Sequence, residues 1–163
     1  MMNVCLIGNS LTNLVLAKIL ANKNIKVTIF YEQNRKNKFF SRTIGISKNN
    51  FDFFIDQILD IEKISWPIKS IKVFNELSLE DEILNFRDDN SRLLSIVKYN
   101  QLFKLLNKNA ANNKYIKKYK IKNKSFYDTI LKNNQFNFIV NSDIENKISK
   151  EIFLKKIIKD YKS

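Results

Sequence analysis

A short turn near the amino terminus carries the residues whose spacing could bind a phosphate group. In a Gly-x-Gly-x-x-Gly turn the first glycine makes the bend, the second admits a pyrophosphate, and the third lets the following helix pack closely. Here the six positions run from Gly8 to Asn13, and only the first glycine is present. Ser10 is small and could donate a hydrogen bond to a phosphate, but the amide of Asn13 must fit where a hydrogen atom normally lies. The turn alone is equally consistent with dinucleotide binding and with a purely structural role.

A carboxylate at the end of the second strand is the other group that a dinucleotide site needs, because it binds a ribose hydroxyl. The usual count from Gly8 leads to Tyr31, and Glu32 follows one position later. A small bulge would bring Glu32 into place. A solvated glutamate at a strand end is the equally consistent alternative.

The elements around the turn are those that a phosphate-binding turn requires. Residues 3–7 are an apolar run that predicts a short buried strand, and residues 11–22 predict a helix that is apolar on most sides. Residues 26–30 form a short segment rich in β-branched side chains, which favours a second strand. Strand, turn, helix and strand together predict a right-handed parallel crossover.

The later segments change in pattern. Strands are predicted at residues 43–46, 93–97 and 136–140, the last of them buried. Two other segments, residues 68–74 and 82–86, alternate apolar and polar side chains, as half-exposed antiparallel strands do. The sequence therefore predicts a parallel sheet interrupted by strands of a different kind.

The residue types that are missing exclude several kinds of site. The chain has no His, which excludes a Ser-His-Asp triad and imidazole metal ligands. Its single cysteine, Cys5, allows no internal disulfide and lies in an apolar segment. We assign no catalytic residue and no metal site from the sequence.

The net charge of +13 raises the question of a nucleic-acid partner. Lys, Asn, Ile and Phe are enriched together, as A/T-rich codons would produce, and only four of the 29 basic residues are Arg. Recognition of phosphates and bases favours the planar Arg fork. We therefore expect no nucleic-acid partner. The basic residues 114–124, with Tyr115 and Tyr119 interleaved, leave single-strand binding as an alternative.

The expected location is cytoplasmic. No apolar run approaches the roughly 18 residues of a spanning helix, and no secretory signal is evident. Residues 148–158 predict a basic amphipathic helix, which could rest on the inner membrane or pack against the chain's own sheet.

Five segments, in order along the chain, resemble the FAD-dependent hydroxylases of ubiquinone biosynthesis, in the para-hydroxybenzoate hydroxylase class of aromatic monooxygenases. The FAD-binding start of that family is similar to VCLIGNSLTNLVLAKIL and VTIFYEQ. Its Arg-x-Ile-Ala-Leu-Ser strand is similar to SRTIGIS, which places Arg42 on the arginine near the FAD phosphates. The strand entering its substrate-binding sheet is similar to WPIKSIKVFN, and the segment returning to the FAD domain is similar to LLSIVKYNQLFKLL. Its Ala-Asp-Gly motif falls on FNFIVNSDIENKIS, which places Asp143 on the motif aspartate.

The resemblance implies an α/β fold: a Rossmann-like FAD-binding domain with a parallel sheet, interrupted by strands of a second, incomplete antiparallel sheet. Residues 1–65 and 93–163 would form the FAD-binding domain, and residues 66–92 would be strands of the substrate-binding sheet. The implied cofactor-binding residues are Gly8, Ser10, Asn13, Glu32, Arg42 and Asp143. Several positions depart from the family, because Ser10 and Asn13 replace glycines and Ile144 replaces the glycine of Asp-Gly.

The implied function is the amino-terminal FAD-binding portion of a flavin monooxygenase that hydroxylates an aromatic ring, such as a ubiquinone precursor. NAD(P)H and oxygen would be co-substrates, and another chain could supply the missing carboxy-terminal part. We expect this portion to be inactive alone and to bind FAD weakly or not at all. The alternatives are a degenerate Rossmann-like module without FAD and a basic nucleic-acid-binding protein.

Overall fold

A computed structural model describes residues 2–32, 42–76, 78–88, 91–121, 126–132 and 135–143, together with residues 146, 148 and 149. The chain divides into two compact units, the first formed by Met1–Arg35 with Asn109–Ser163 and the second by Lys36–Lys108. The predicted helix over residues 148–158 lies outside the described residues, apart from Ile148 and Ser149. Within the described part of the chain, no helix is long and apolar enough to cross a membrane.

The helices and strands follow one another in the order β1 (Asn3–Ile7), α1 (Leu11–Asn22), β2 (Lys26–Tyr31), β3 (Thr43–Ser47), α2 (Lys48–Phe53), β4 (Ser65–Ile68), β5 (Ser70–Asn75), β6 (Ser78–Arg87), β7 (Leu94–Lys98), α3 (Tyr99–Ala111), β8 (Ile116–Lys120), α4 (Phe126–Lys132) and β9 (Phe138–Asn141). A π-helical turn, Phe54–Ile58, continues α2, and a 3-10 turn spans Glu62–Ile64. The first unit contains β1, α1, β2, β8, α4 and β9.

In the part of the first unit that the structure describes, the sheet has four parallel strands in the order β8-β2-β1-β9. The predicted bounds of β1 and α1 are confirmed, and β2 extends one residue further than predicted, to Tyr31. The expected α/β class is confirmed as well: a parallel sheet is present, and separate antiparallel sheets accompany it. Because β1 pairs with both β2 and β9, the carboxyl ends of these three strands meet at one edge of the sheet.

Helices cover both faces of this sheet. Helix α1 contacts β1, β2 and β8 and buries Leu14, Ala17 and Ala21. Side chains alternate between the two faces of a strand, and the opposite face contributes Cys5 and Phe30 to a cluster with residues of α4. Cys5 is fully buried there, and this burial raises the pKa of its thiol to about 12.

Strand β9 lies at the edge of the sheet, and the prediction that it is buried was wrong. It begins at Phe138 rather than at residue 136, and Phe138 is 58% exposed. Ile139 and Val140 are also exposed. A short apolar run is typical of a central parallel strand, but an edge position leaves such a strand with only one neighbour.

In the second unit, the strand pairs formed by the described residues are antiparallel. Strand β7 pairs with β3 and with β4, and β5 pairs with β6 as a separate two-stranded ribbon. The predicted strand over residues 68–74 is interrupted at Lys69, where the chain passes from one of these sheets to the other. The predicted FAD-binding domain comprised residues 1–65 and 93–163, and the predicted substrate-binding strands comprised residues 66–92. The two compact units of the structure have other bounds. The assignment of FAD-binding and substrate-binding roles to those domains stays a prediction.

Candidate functional site

The candidate site lies in the first unit, where the chain leaves β1. Gly8 follows the strand directly. Its φ is +106°, a backbone conformation that residues other than glycine rarely adopt. Its N–H donates to the carbonyl oxygen of Phe30 at 2.8 Å, which fixes the turn against the end of β2. The bend that the first glycine was predicted to make is therefore present.

Ser10 caps the amino terminus of α1. Its hydroxyl oxygen accepts a hydrogen bond from the N–H of Asn13 at 3.1 Å, which is the usual N-cap arrangement. The same oxygen lies 2.8 Å from the hydroxyl oxygen of Ser142, at the end of β9. The hydroxyl that was predicted to face a phosphate is thus engaged by the chain itself, and so is one of the N–H groups at the start of the helix.

Asn13 is almost completely buried, with 1% of its surface exposed. Its side-chain amide donates to the carbonyl oxygens of Ile7 and Gly8, at 2.9 and 2.8 Å. A dinucleotide-binding turn has a glycine here so that helix and strand can pack closely. Asn13 holds the helix close to the strand in another way, because its amide donates hydrogen bonds to the strand end and to the turn.

The open side of Gly8 is also occupied. A Cβ atom placed on Gly8 would lie 3.1 Å from the Cβ of Asp143 and 3.3 Å from the hydroxyl oxygen of Ser142. The hydrogen of Gly8 therefore makes room for the loop after β9, and this side of the turn is not open to a ligand.

The loop after β9 brings Asp143 to this edge through a polar network. The N–H of Asp143 donates to the Asn141 side chain at 3.0 Å, and its carbonyl accepts from the hydroxyl of Ser149 at 2.6 Å. Asn141 and Asn146 exchange two side-chain hydrogen bonds, of 3.2 and 2.8 Å. Asn146 and Ser149 are buried, so the network holds the position of Asp143 from within the fold.

Glu32 follows β2 directly, at the end of the strand where a ribose-binding carboxylate was expected. Its carboxylate accepts a hydrogen bond of 2.6 Å from the phenol of Tyr127, a residue of α4 that is 1% exposed. The Glu32 carboxylate is therefore bound to a side chain of the chain's own helix α4, which neither of the two expected roles included.

A lysine of β8 also contacts the turn. The ammonium of Lys118, on β8, donates to the side chain of Asn9 at 2.9 Å and lies 5.1 Å from the centre of the Tyr31 ring. Burial lowers the pKa of this ammonium from its ordinary value. Lys118 thus ties the residue after Gly8 to the sheet.

Arg42 belongs to the second unit. It directly precedes β3, its guanidinium lies 4.8 Å from the centre of the Tyr99 ring, and its carbonyl accepts from the N–H of Tyr99 at 3.0 Å. The structure thus brings Gly8, Ser10, Asn13 and Asp143 together within the first unit. The predicted contact of Arg42 with FAD phosphates stays a prediction.

The turn does not fit an FAD pyrophosphate in the form that it has here. A pyrophosphate needs N–H groups at the helix start and close approach to the backbone at the second glycine position. That position carries Ser10, whose hydroxyl is bonded to Ser142, and the N–H of Asn13 is bonded to Ser10. We therefore assign no chemical step to this site.

Sequence reasoning missed several residues that shape the site. Tyr127 could have been found, because Tyr127 and Ile130 have helical spacing and both are buried on one side of α4. Asn146 and Ser149 gave no local signal, since their bonds to Asn141 and Asp143 depend on the folded chain and not on a spacing rule.

The chain matches no protein-family model, and no curated protein sequence is similar to it. Solved structures share its fold. One is PqsL, a probable FAD-dependent monooxygenase from Pseudomonas aeruginosa, with a TM-score of 0.58 and 13% identity over 73% of this chain and 32% of that chain. Another is p-nitrophenol 4-monooxygenase PnpA from Pseudomonas putida, with a TM-score of 0.58 and 11% identity over 74% of this chain and 31% of that chain.

A third is 2,6-dihydroxypyridine-3-hydroxylase from Arthrobacter nicotinovorans, with a TM-score of 0.52 and 14% identity over 72% of this chain and 28% of that chain. At these identities the likeness concerns the fold. The chain spans about a third of the length of the structures that it matches.

Proposed function

We propose that the chain is the FAD-domain portion of a flavin-dependent monooxygenase that hydroxylates an aromatic ring. The likeness in fold to monooxygenase structures carries this proposal, together with the position of Gly8 at the carboxyl edge of the parallel sheet. In open α/β sheets, ligands bind at this edge.

The proposal extends to the whole enzyme. Its substrate would be an aromatic ring such as a quinone precursor of ubiquinone biosynthesis, and NAD(P)H would supply the reducing equivalents. A carboxy-terminal part, on this or another chain, would complete the FAD site and the substrate pocket. When FAD is bound it supplies the oxygen chemistry, and the protein contributes position and exclusion of water. Peripheral contact with the inner membrane would suit an apolar quinone precursor.

We propose in addition that this portion alone binds FAD weakly. The hydroxyl of Ser10 is bonded to Ser142 and to the N–H of Asn13, at the positions where a pyrophosphate would need these groups. The competing function is a Rossmann-like module that has lost FAD altogether. The bonds of Ser10 to Ser142 and to Asn13 favour that alternative as well. Weak FAD binding and loss of FAD binding must therefore be separated by experiment.

The substitution Ser10→Gly separates them. It restores the second glycine of the turn, frees the N–H of Asn13, and removes the contact between Ser10 and Ser142. Replacing an N-cap serine by glycine costs only a few tenths of a kcal/mol, so the fold should persist. A recovered N–H bond to a phosphate should lower the FAD dissociation constant about tenfold or more, measured by equilibrium dialysis and flavin fluorescence.

The matched control is Ser47→Gly. Ser47 stands at the N-cap of α2 but makes no side-chain cap hydrogen bond, and it belongs to the second unit. It should leave FAD affinity unchanged. Equal FAD affinities for the wild type and for Ser10→Gly would contradict a latent FAD site and support the module without FAD.

A further inference from the structure

The first unit contains a cavity that none of the predicted cofactor-binding residues lines. Its volume is about 680 Å³, within the range of small-molecule sites. It lies on the face of the sheet that carries Thr28 and Phe30, toward α4, which contributes Phe126 and Thr129 to the lining. The cavity is thus separate from the Gly8 turn in the residues that form it.

Aromatic rings form much of the cavity wall, and Phe30 is at their centre. The ring of Phe30 stacks with that of Tyr119, with centroids 5.7 Å apart and planes 26° apart. It meets Phe126 and Phe136 edge to face, at 5.3 and 6.1 Å. Phe30 is buried, but Tyr119 is 49% exposed and Phe126 is 38% exposed. Two rings of a packed cluster therefore still present surface on which a further planar ring could stack.

Among the described residues that line this cavity, the charged ones are Lys117 and Lys120, and none is acidic. Among the residues that the structure describes, neither of these two ammonium groups has an ion-pair or hydrogen-bond partner. Thr28 and Thr129 are polar residues of the lining. A ligand that stacks on the rings would be bound more tightly if it also carried a negative charge.

We propose that this cavity binds a small planar aromatic anion, such as an aromatic carboxylate or sulfonate. The ring would stack against Tyr119 and Phe126, and the anionic group would lie near Lys117, whose side chain is on the same face of β8 as Tyr119. No reaction is assigned to the site, and the inference goes beyond the proposed function without depending on it. The chain would hold this ligand whether or not it binds FAD.

The test is a calorimetric titration of the full chain with 2-naphthoate. Two comparison ligands lack one feature each: 2-naphthylmethanol has the ring without the charge, and cyclohexanecarboxylate has the charge without the aromatic ring. We expect 2-naphthoate to bind about tenfold more tightly than either, since both contacts contribute. Comparable binding of cyclohexanecarboxylate would overturn the proposal, because it would indicate general attraction to a chain of charge +13.

Two variants locate the site. Lys117→Gln should weaken 2-naphthoate about fivefold to tenfold and leave 2-naphthylmethanol unchanged, whereas Phe126→Leu should weaken both aromatic ligands. The controls are Lys132→Gln, at an exposed position of α4 that does not line the cavity, and Phe138→Leu, at an exposed phenylalanine of β9. Both should bind as the wild type does.

Lys117 is exposed, so its substitution tests the site without disturbing the core. If Lys117→Gln and Lys132→Gln weakened 2-naphthoate equally, the cavity would not be the binding site. Absence of binding at millimolar 2-naphthoate would refute the proposal. Tighter binding of a single-stranded oligonucleotide, lost in Lys117→Gln, would also overturn it in favour of a nucleic-acid surface.

Discussion

Replacing Gly8 by alanine should destabilise the chain by about 2–4 kcal/mol, the sum of backbone strain and overpacking. The backbone at Gly8 has a φ of +106°, which an alanine adopts only with strain. The new methyl group would also lie 3.1 Å from the Cβ of Asp143, so the loop after β9 would have to move. Urea unfolding of both proteins measures the effect.

Gly45→Ala is the matched control. Gly45 lies in β3, its φ lies outside the positive range, and a Cβ there meets nothing within 4 Å. Alanine at such a position should change stability by less than about 1 kcal/mol, in the stabilising direction. Equal losses from the two substitutions would contradict the close packing between Gly8 and the loop after β9.

Replacing Asn13 by leucine should cost about 2–3 kcal/mol, because a buried acceptor loses its donor. The two side chains have the same branching and the same number of heavy atoms, but leucine cannot donate to the carbonyls of Ile7 and Gly8. The carbonyl of Ile7 keeps the N–H of Ser142 as a partner at 3.1 Å. The cost should therefore come mainly from the carbonyl of Gly8.

Thr12→Leu controls for adding a leucine to the first turn of α1. Thr12 is the neighbouring residue and its side chain is exposed, so the change should stay within about 0.5 kcal/mol. Thermal or urea unfolding compares the two variants. A loss for Asn13→Leu no larger than that for Thr12→Leu would mean that the amide bridge contributes nothing to stability.

The sequence was sufficient for the β1-α1-β2 crossover because each of its signals is local. The apolar run of β1, the glycine after it and the apolar helix are consecutive, and their predicted bounds agree with the structure. The position of β9 in the sheet is not a local property. Its apolar residues predicted burial, but its place at the edge leaves Phe138 exposed.

The sequence predicted where the candidate site lies, but not which of its groups are hydrogen-bonded to one another. Gly8 and Asp143 were both expected among the cofactor-binding residues, and the structure brings them into contact distance. The bond between Ser10 and Ser142 joins residues 132 positions apart, and no spacing rule reveals such a pair. Asn13 was correctly seen as a departure from glycine, but only the folded turn shows that its amide binds two backbone carbonyls.

The flavin content of the purified wild-type chain tests most directly whether the Gly8 turn is closed by its own side chains. The chain is expressed and purified with added FAD, passed through a gel-filtration column, and its flavin absorbance is compared with its protein concentration. Because the hydroxyl of Ser10 is bonded to Ser142 and to the N–H of Asn13 where a pyrophosphate would bind, we expect far less than one FAD per chain. A yellow protein that keeps one FAD per chain through the column would contradict the closed turn.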